Sequence, residues 1–226
     1  MNLLILGRGK TGSLVAEVAR ERRHQVRAVG HAENEGGAAL APSQLQNIDV
    51  VIDFTTPDAV LGNMEACVKA GKPMAVGTTG WYAALPGIRE AVERAGTGLV
   101  FGSNFSVGVN LFLDMARASA AAAEQGYHGQ IFERHHVHKK DAPSGTAITI
   151  QKAIQQAGGP ELEITSFREG EVVGMHEIIF ESAHDRIYLC HDAQSRRGFA
   201  EGAVRAAEWV ATKKGCFDFK DVWREL

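Results

Sequence analysis

Short apolar runs recur along the first hundred residues: Leu3-Leu4-Ile5-Leu6, Val26 to Val29, Val50-Val51-Ile52, Met74-Ala75-Val76 and Leu99-Val100-Phe101. Helix-compatible stretches lie between them. Residues 11 to 23 place Leu14, Val15, Val18 and Ala19 at helical spacing, and Ala59 to Ala70 reads the same way. Brief, continuously apolar strands alternating with helices predict a parallel sheet buried on both faces, hence a doubly wound α/β domain. After Val107 the pattern changes. One alanine-rich helix (Asn110 to Glu124) precedes longer, wetter strand-like pieces at Gln130 to His138, Glu161 to Phe167, Val172 to Phe180 and Arg186 to His191. In the third, His176, Ile178 and Phe180 alternate with Glu177, Ile179 and Glu181, as in an open sheet with one covered side. These pieces predict a second, α+β domain. A last helix, Ala200 to Thr212, carries Ala203, Val204, Ala207 and Val210 on related turns, and its pattern leaves open which domain it joins.

Composition narrows the partners. With 226 residues, 45% hydrophobic and 23% charged, the chain suits one large domain or two modest ones. A net charge of -3 supplies no broad basic field, which argues against nucleic acid as the main partner. Cys67, Cys190 and Cys216 are too far apart for a zinc knuckle or redox pair, and reduced thiols are expected. The start at Leu3 to Leu6 lacks the basic flank and length of a signal peptide, and no run reaches membrane-spanning length. A cytoplasmic protein with no membrane partner is expected.

The first chemical motif lies between the first strand and first helix. Gly7-Arg8-Gly9-Lys10-Thr11-Gly12 reads G-x-G-x-x-G, whose glycines let the backbone turn and approach a dinucleotide pyrophosphate at a helix N-terminus. Gly9-Lys10-Thr11 imitates the end of a nucleoside triphosphate loop, but Leu4 stands where that loop needs glycine. The carboxylate that would hold the ribose of NAD has no clear place after the second strand, where Glu33 and Glu35 are only nearby. With Arg8 and Lys10 in the loop, NADPH is as open as NADH. Gly77-Thr78-Thr79-Gly80 and Gly102-Ser103-Asn104-Phe105 follow the fourth and fifth strands, at the sheet edge where such folds bind ligand.

The second motif is Glu133-Arg134-His135-His136-Val137-His138-Lys139-Lys140-Asp141-Ala142-Pro143-Ser144-Gly145-Thr146. His136 and His138 on one strand face could begin a metal site with Glu133 or Asp141, but Lys139 and Lys140 would set cations beside it, and no metal is expected. Pro143, the N-cap candidate Ser144, and Gly145-Thr146 opening a helix (Ala147 to Gln156) suit an anion, and Lys139 adds a charge. If the strand is extended, His135 and His136 point to opposite sides, so one could meet a reacting atom and the other a substrate oxygen. A dinucleotide loop, a proton donor and a carboxylate clamp together spell reduction of a double bond in a small acidic molecule.

This motif closely resembles that of the 4-hydroxy-tetrahydrodipicolinate reductase (dihydrodipicolinate reductase) family, of the diaminopimelate route to lysine. The resemblance extends to Gly7–Gly12, Gly77–Gly80, Asn104 to Asn110, Val173-Gly174-x-His176-Glu177 and Phe199-Ala200-x-Gly202-Ala203. It implies a Rossmann dinucleotide-binding domain (1–105 plus 197–226) and a smaller α+β domain (106–196) built on a mixed open sheet, which binds substrate and mediates a homotetramer. It also implies that the last helix returns to the Rossmann domain. By the same resemblance His135 is the proton donor with Lys139 as its partner. His136, Lys139, Ser144, Gly145 and Thr146 hold the dicarboxylate substrate. NADH or NADPH is held by Gly7, Arg8, Gly9, Lys10, Thr11, Gly12, Gly77, Thr78, Thr79, Gly102, Ser103, Asn104 and Phe105. Family members are commonly longer, the shortfall here lying between the helix after Thr146 and the strand at Val172.

Overall fold

A computed structural model describes residues 1–226. The chain divides into two compact units, Met1–Val107 with Arg197–Leu226, and Gly108–Arg196. The first begins with β1 (Asn2–Leu6), α1 (Lys10–Glu21) and β2 (Gln25–Val29), followed by 3-10 turns and the short helix α2 (Pro42–Leu45). It continues through β3 (Val50–Asp53), α3 (Pro57–Lys69), β4 (Met74–Val76), α4 (Leu85–Ala95) and β5 (Gly98–Phe101). Each apolar run of the sequence is thus a strand.

The second unit holds α5 (Val107–Ala118), α6 (Ala121–Glu124), β6 (His128–His135), α7 (Gly145–Gln156), β7 (Glu163–Arg168), β8 (Met175–Glu181) and β9 (Arg186–Asp192). The helix expected over Asn110 to Glu124 is two helices, broken at Ser119-Ala120. The sheet order is β7-β6-β8-β9, with β6 and β7 parallel and the other pairs antiparallel. It has the one covered side the alternation predicts and the mixed strand directions the family resemblance implies. Ile131, Ile178 and Phe180 pack with Phe112 of α5 and Ile150 and Ile154 of α7, while Phe132, Ile179 and Tyr188 take the other face.

The chain then returns to the first unit with α8 (Arg197–Val210), β10 (Gly215–Asp218) and α9 (Phe219–Val222). β10 completes a six-stranded, all-parallel sheet in the order β10-β5-β4-β3-β1-β2. Alternation within β1 explains its two cores: Leu4 and Leu6 join Val51, Met64 and Val92 on one face, and Leu3 and Ile5 join Val15, Ile52, Val204 and Ala207 on the other. Gly202 lets α8 close on the loop after β5, since a Cβ there would stand 1.7 Å from the Phe105 carbonyl oxygen. No helix is long and apolar enough to cross a membrane.

Candidate active site

The three motif glycines of the first unit have three distinct jobs. Gly7 takes φ +100°, in the region L side chains avoid, and a Cβ would strike the Phe54 carbonyl at 2.1 Å. Gly12 packs α1 on the turn, where a Cβ would lie 2.0 Å from the Gly7 oxygen. Gly9 has nothing within 4 Å of the corresponding position, so its backbone is bare where a ligand must come close. Gly9 is also the N-cap of α1, with no side chain capping the first N–H groups and no acidic residue in the first turn. Those donors stay available to an anion. They open on a cleft of about 280 Å³ bounded by residues 9–12, Phe54, Thr55, Pro57 and Gly77–Thr79. This cradle fits a dinucleotide pyrophosphate.

At the end of β2, Glu33, which the sequence places only nearby, comes back to the strand end. The turn after Gly30 folds Glu33 back, so that its Oε2 accepts from the Gly30 N–H at 2.6 Å and its Oε1 pairs with Arg8 at 2.8 Å. Carboxylate and guanidinium stand together, both half exposed. Separation in sequence hid the pair, because a turn rather than the strand delivers Glu33.

Asp53, at the end of β3, is a further residue that pattern reasoning passed over. Fully buried, it accepts from Thr55 N–H (3.0 Å), Thr55 Oγ1 (2.7 Å), Thr78 Oγ1 (2.7 Å) and Asn63 Nδ2 (2.8 Å). It thereby ties together two loops that border the cleft. The Thr78 side chain is committed to this network, while Thr79 is exposed. In the loop after β5, Gly102 is buried and Ser103 exposed, and Asn104 Oδ1 accepts from the Ser106 N–H at 2.8 Å. The Phe105 ring is core, packed 4.7 Å from Phe219 between centroids. Phe105 thus has only backbone to offer a ligand.

In the second unit, β6 stops at His135, earlier than expected. His136 already donates its N–H to Val172 O, and Lys139 N–H closes a turn on His136 O at 3.1 Å. His136 and His138 therefore do not share a strand face, as the metal alternative supposed. His135 points inward and is buried, whereas His136 is half-buried with Nδ1 shut from solvent and unpartnered. His135 Nδ1 meets the Glu133 carboxylate, and the His176 ring lies edge-on at 5.1 Å. Burial pulls His135 below its ordinary value, Glu133 pulls it back, and Lys139 and Arg168 add to the lowering. Lys139 pairs with Asp141 at 2.8 Å, which holds that carboxyl below its usual range.

Glu133, His135 and His176 also form a compact set of metal-ligand types. Several of their donor atoms are engaged: the Glu133 carboxylate by His135 Nδ1 and Arg168, and His176 Nε2 by Ser144 Oγ at 3.1 Å. The set fits a hydrogen-bonded network with Arg168 as its cation better than a metal cage. Ser144 caps α7, accepting from the Ala147 N–H at 3.1 Å. Its hydroxyl is committed to the helix and to His176. Gly145 and Thr146, the first residues of α7, keep their N–H groups uncapped by side chains.

An all-parallel sheet with a glycine turn at the start of its first helix places the first unit among the dinucleotide-binding folds of Rossmann type. Within that class, residues 1–105 match the family description "Dihydrodipicolinate reductase, N-terminus" and residues 108–223 match "Dihydrodipicolinate reductase, C-terminus". The chain belongs to the dihydrodipicolinate reductase family. It is 36% identical over 242 residues to the 4-hydroxy-tetrahydrodipicolinate reductase of Christiangramia forsetii, covering 100% of this chain and 99% of that one. It is 39% identical over 204 residues to that of Thiobacillus denitrificans, covering 80% and 76%. The dipicolinate-bound dihydrodipicolinate reductase from Paenisporosarcina sp. TG-14 shares the fold, with a TM-score of 0.81, 22% identity, and 98% and 99% of the two chains covered.

Proposed function

We propose that this chain reduces 4-hydroxy-tetrahydrodipicolinate to tetrahydrodipicolinate with NADH or NADPH, on the diaminopimelate route to lysine. The observation that carries the reading is the buried Glu133–His135 pair next to Lys139 and the start of α7, whose Gly145 and Thr146 N–H groups no side chain caps, in a chain whose first unit holds a dinucleotide cradle. Residues Gly7 to Gly12 take the pyrophosphate, with Arg8 and Glu33 at the adenosine ribose. The loops at Gly77–Thr79 and Gly102–Phe105 take the nicotinamide half. Bound NADH or NADPH supplies the hydride.

The remaining work falls to the second unit. Gly145 and Thr146 N–H groups and the Lys139 ammonium neutralise a substrate carboxylate. His136 adds a further contact to a substrate carboxylate oxygen. His135, as imidazolium, protonates the carbon next to the one that receives hydride, and water leaves from the hydroxylated form. The protein assembles as a homotetramer through the second unit. Its three cysteines are unpaired, which supports a cytoplasmic setting.

The test follows NADH and NADPH absorbance with enzymatically generated substrate. Oxidation of at least one cofactor is expected, and none of either defeats the reading. Substituting His135→Gln should lower turnover by about 10²- to 10⁴-fold with cofactor binding nearly unchanged.

A further inference from the structure

Glu133 opens the 133–146 motif and Gly174 belongs to the Val173–Glu177 segment, and neither has a part in the chemistry above. Both stand against the His135 ring. Residues two apart on a strand share a face, so Glu133 sits beside His135 on the covered side of β6. Its side chain is 0% exposed, and a buried carboxylate is costly unless charge and hydrogen bonds meet it. Arg168 Nη2 donates to Oε1 at 2.9 Å, and Ser166, register partner of Glu133 on β7, adds a hydrogen bond. Arg168 is itself fixed by the carbonyls of Phe167 and Asp141. Burial would raise the Glu133 carboxyl, but the bonds from Ser166, Arg168 and His135 outweigh it and hold it below its ordinary value.

An ionised carboxylate only accepts. The nitrogen facing it, Nδ1, therefore carries the proton in the neutral ring as well as in the imidazolium. Nε2 is left as the atom that gains and loses a proton. Gly174 accounts for the space at that nitrogen. A Cβ there would lie 2.9 Å from Nε2 and 3.2 Å from Cδ2. Gly174 is not among the positive-φ glycines, so the ring, rather than the backbone, explains the absent side chain.

We propose that Glu133, braced by Arg168, is the positioning residue that keeps the Nδ1 proton of His135 in place and turns Nε2 toward the substrate, with Gly174 leaving that nitrogen uncovered. This rests on His135 being the proton donor. In the step, the Nε2–H bond breaks, its electron pair stays on the ring, and the proton bonds to the substrate carbon that hydride addition has made electron-rich. The ring returns to its neutral Nδ1–H form, and a proton from water restores Nε2–H. Glu133 opposes the lowering that burial, Lys139 and Arg168 impose on the ring, so without it the imidazolium would be scarcer still.

Two measurements on the full chain test this. In Glu133→Gln, turnover should fall about 100-fold or more, with substrate KM and cofactor binding within about threefold. The basic limb of the turnover–pH profile should move to lower pH. Glu133→Asp, which keeps the charge, should restore the limb toward its original position. A Glu133→Gln limb that stays in place, whatever the size of the turnover loss, overturns the proposal. Ring ¹⁵N resonances of His135 in the unsubstituted protein decide independently of any variant's folding. The neutral ring should carry its proton on Nδ1, and an Nε2–H tautomer overturns the proposal. An unsubstituted protein that oxidises neither cofactor defeats the proposed function instead, a result distinct from both.

Discussion

His176 shows how one buried side chain couples the candidate site to stability. Burial, and then the charge of His135, push its pKa down to about 4. A free histidine titrates near 6.5, so between those values the unfolded chain binds the extra proton. The stabilisation is present above about pH 6.5 and is lost as pH falls toward about 4, at up to about 1.4 kcal/mol per pH unit. Denaturant midpoints over that range should fall more steeply in the unsubstituted protein than in His176→Gln, and parallel curves would remove the assignment. Arg8 and Glu33 make a second pair of opposites. Arg8→Ala should raise KM for NADPH more than for NADH, and Glu33→Ala the reverse, because only the guanidinium suits a 2′-phosphate and only the carboxylate suits a free ribose hydroxyl. Steady-state kinetics with both cofactors checks this. His135, Lys139 and Ser144 were legible in sequence as a group, because they are dense and close together. Arg168 and His176 were not, because strand pairing brings them from 33 and 41 positions beyond His135, and no spacing rule spans that.

Among elements, the parallel strands were the most legible, since burial on both faces forces unbroken apolar runs. β10 was missed for the opposite reason. Gly215-Cys216-Phe217-Asp218 has no such run and forms only by pairing with β5 at the sheet's edge. The end of β6 was also misplaced, because Val137 continues the strand-like pattern while the turn closed by Lys139 N–H overrides it. The glycine turn allows a discriminating experiment. Gly12→Ala would drive a methyl into the Gly7 carbonyl, so a melting temperature several degrees lower is expected, together with lost cofactor binding. Gly9→Ala meets only open space, so its melting temperature should hold while NADH affinity, read by fluorescence titration, drops about tenfold or more, by obstruction of the pyrophosphate. If Gly9→Ala binds NADH normally, the cradle does not hold the pyrophosphate as proposed.

At the scale of the whole molecule, the open side of the second unit's sheet bears on assembly. Strand alternation and cross-strand register place Phe132, Arg134, Phe167, Ile179, Tyr188 and Cys190 on that face. Tyr188 is 55% and Phe167 43% exposed, with Phe132 stacked on Phe167 and the Arg134 guanidinium over the same ring. Exposed aromatics beside an arginine resemble the centre of a protein interface more than a solvated sheet. The homotetramer proposed above predicts a tetramer in sedimentation of the full chain, with this face buried in it. The paired substitution Ile179→Lys and Tyr188→Lys would put two cations at directly opposed positions of β8 and β9, on the face to be buried, and should yield smaller species with an unchanged far-ultraviolet circular dichroism spectrum. A tetramer that survives both lysines would move the assembly surface away from this sheet, and a monomeric unsubstituted protein would end the tetramer proposal while leaving the chemistry of His135 untouched.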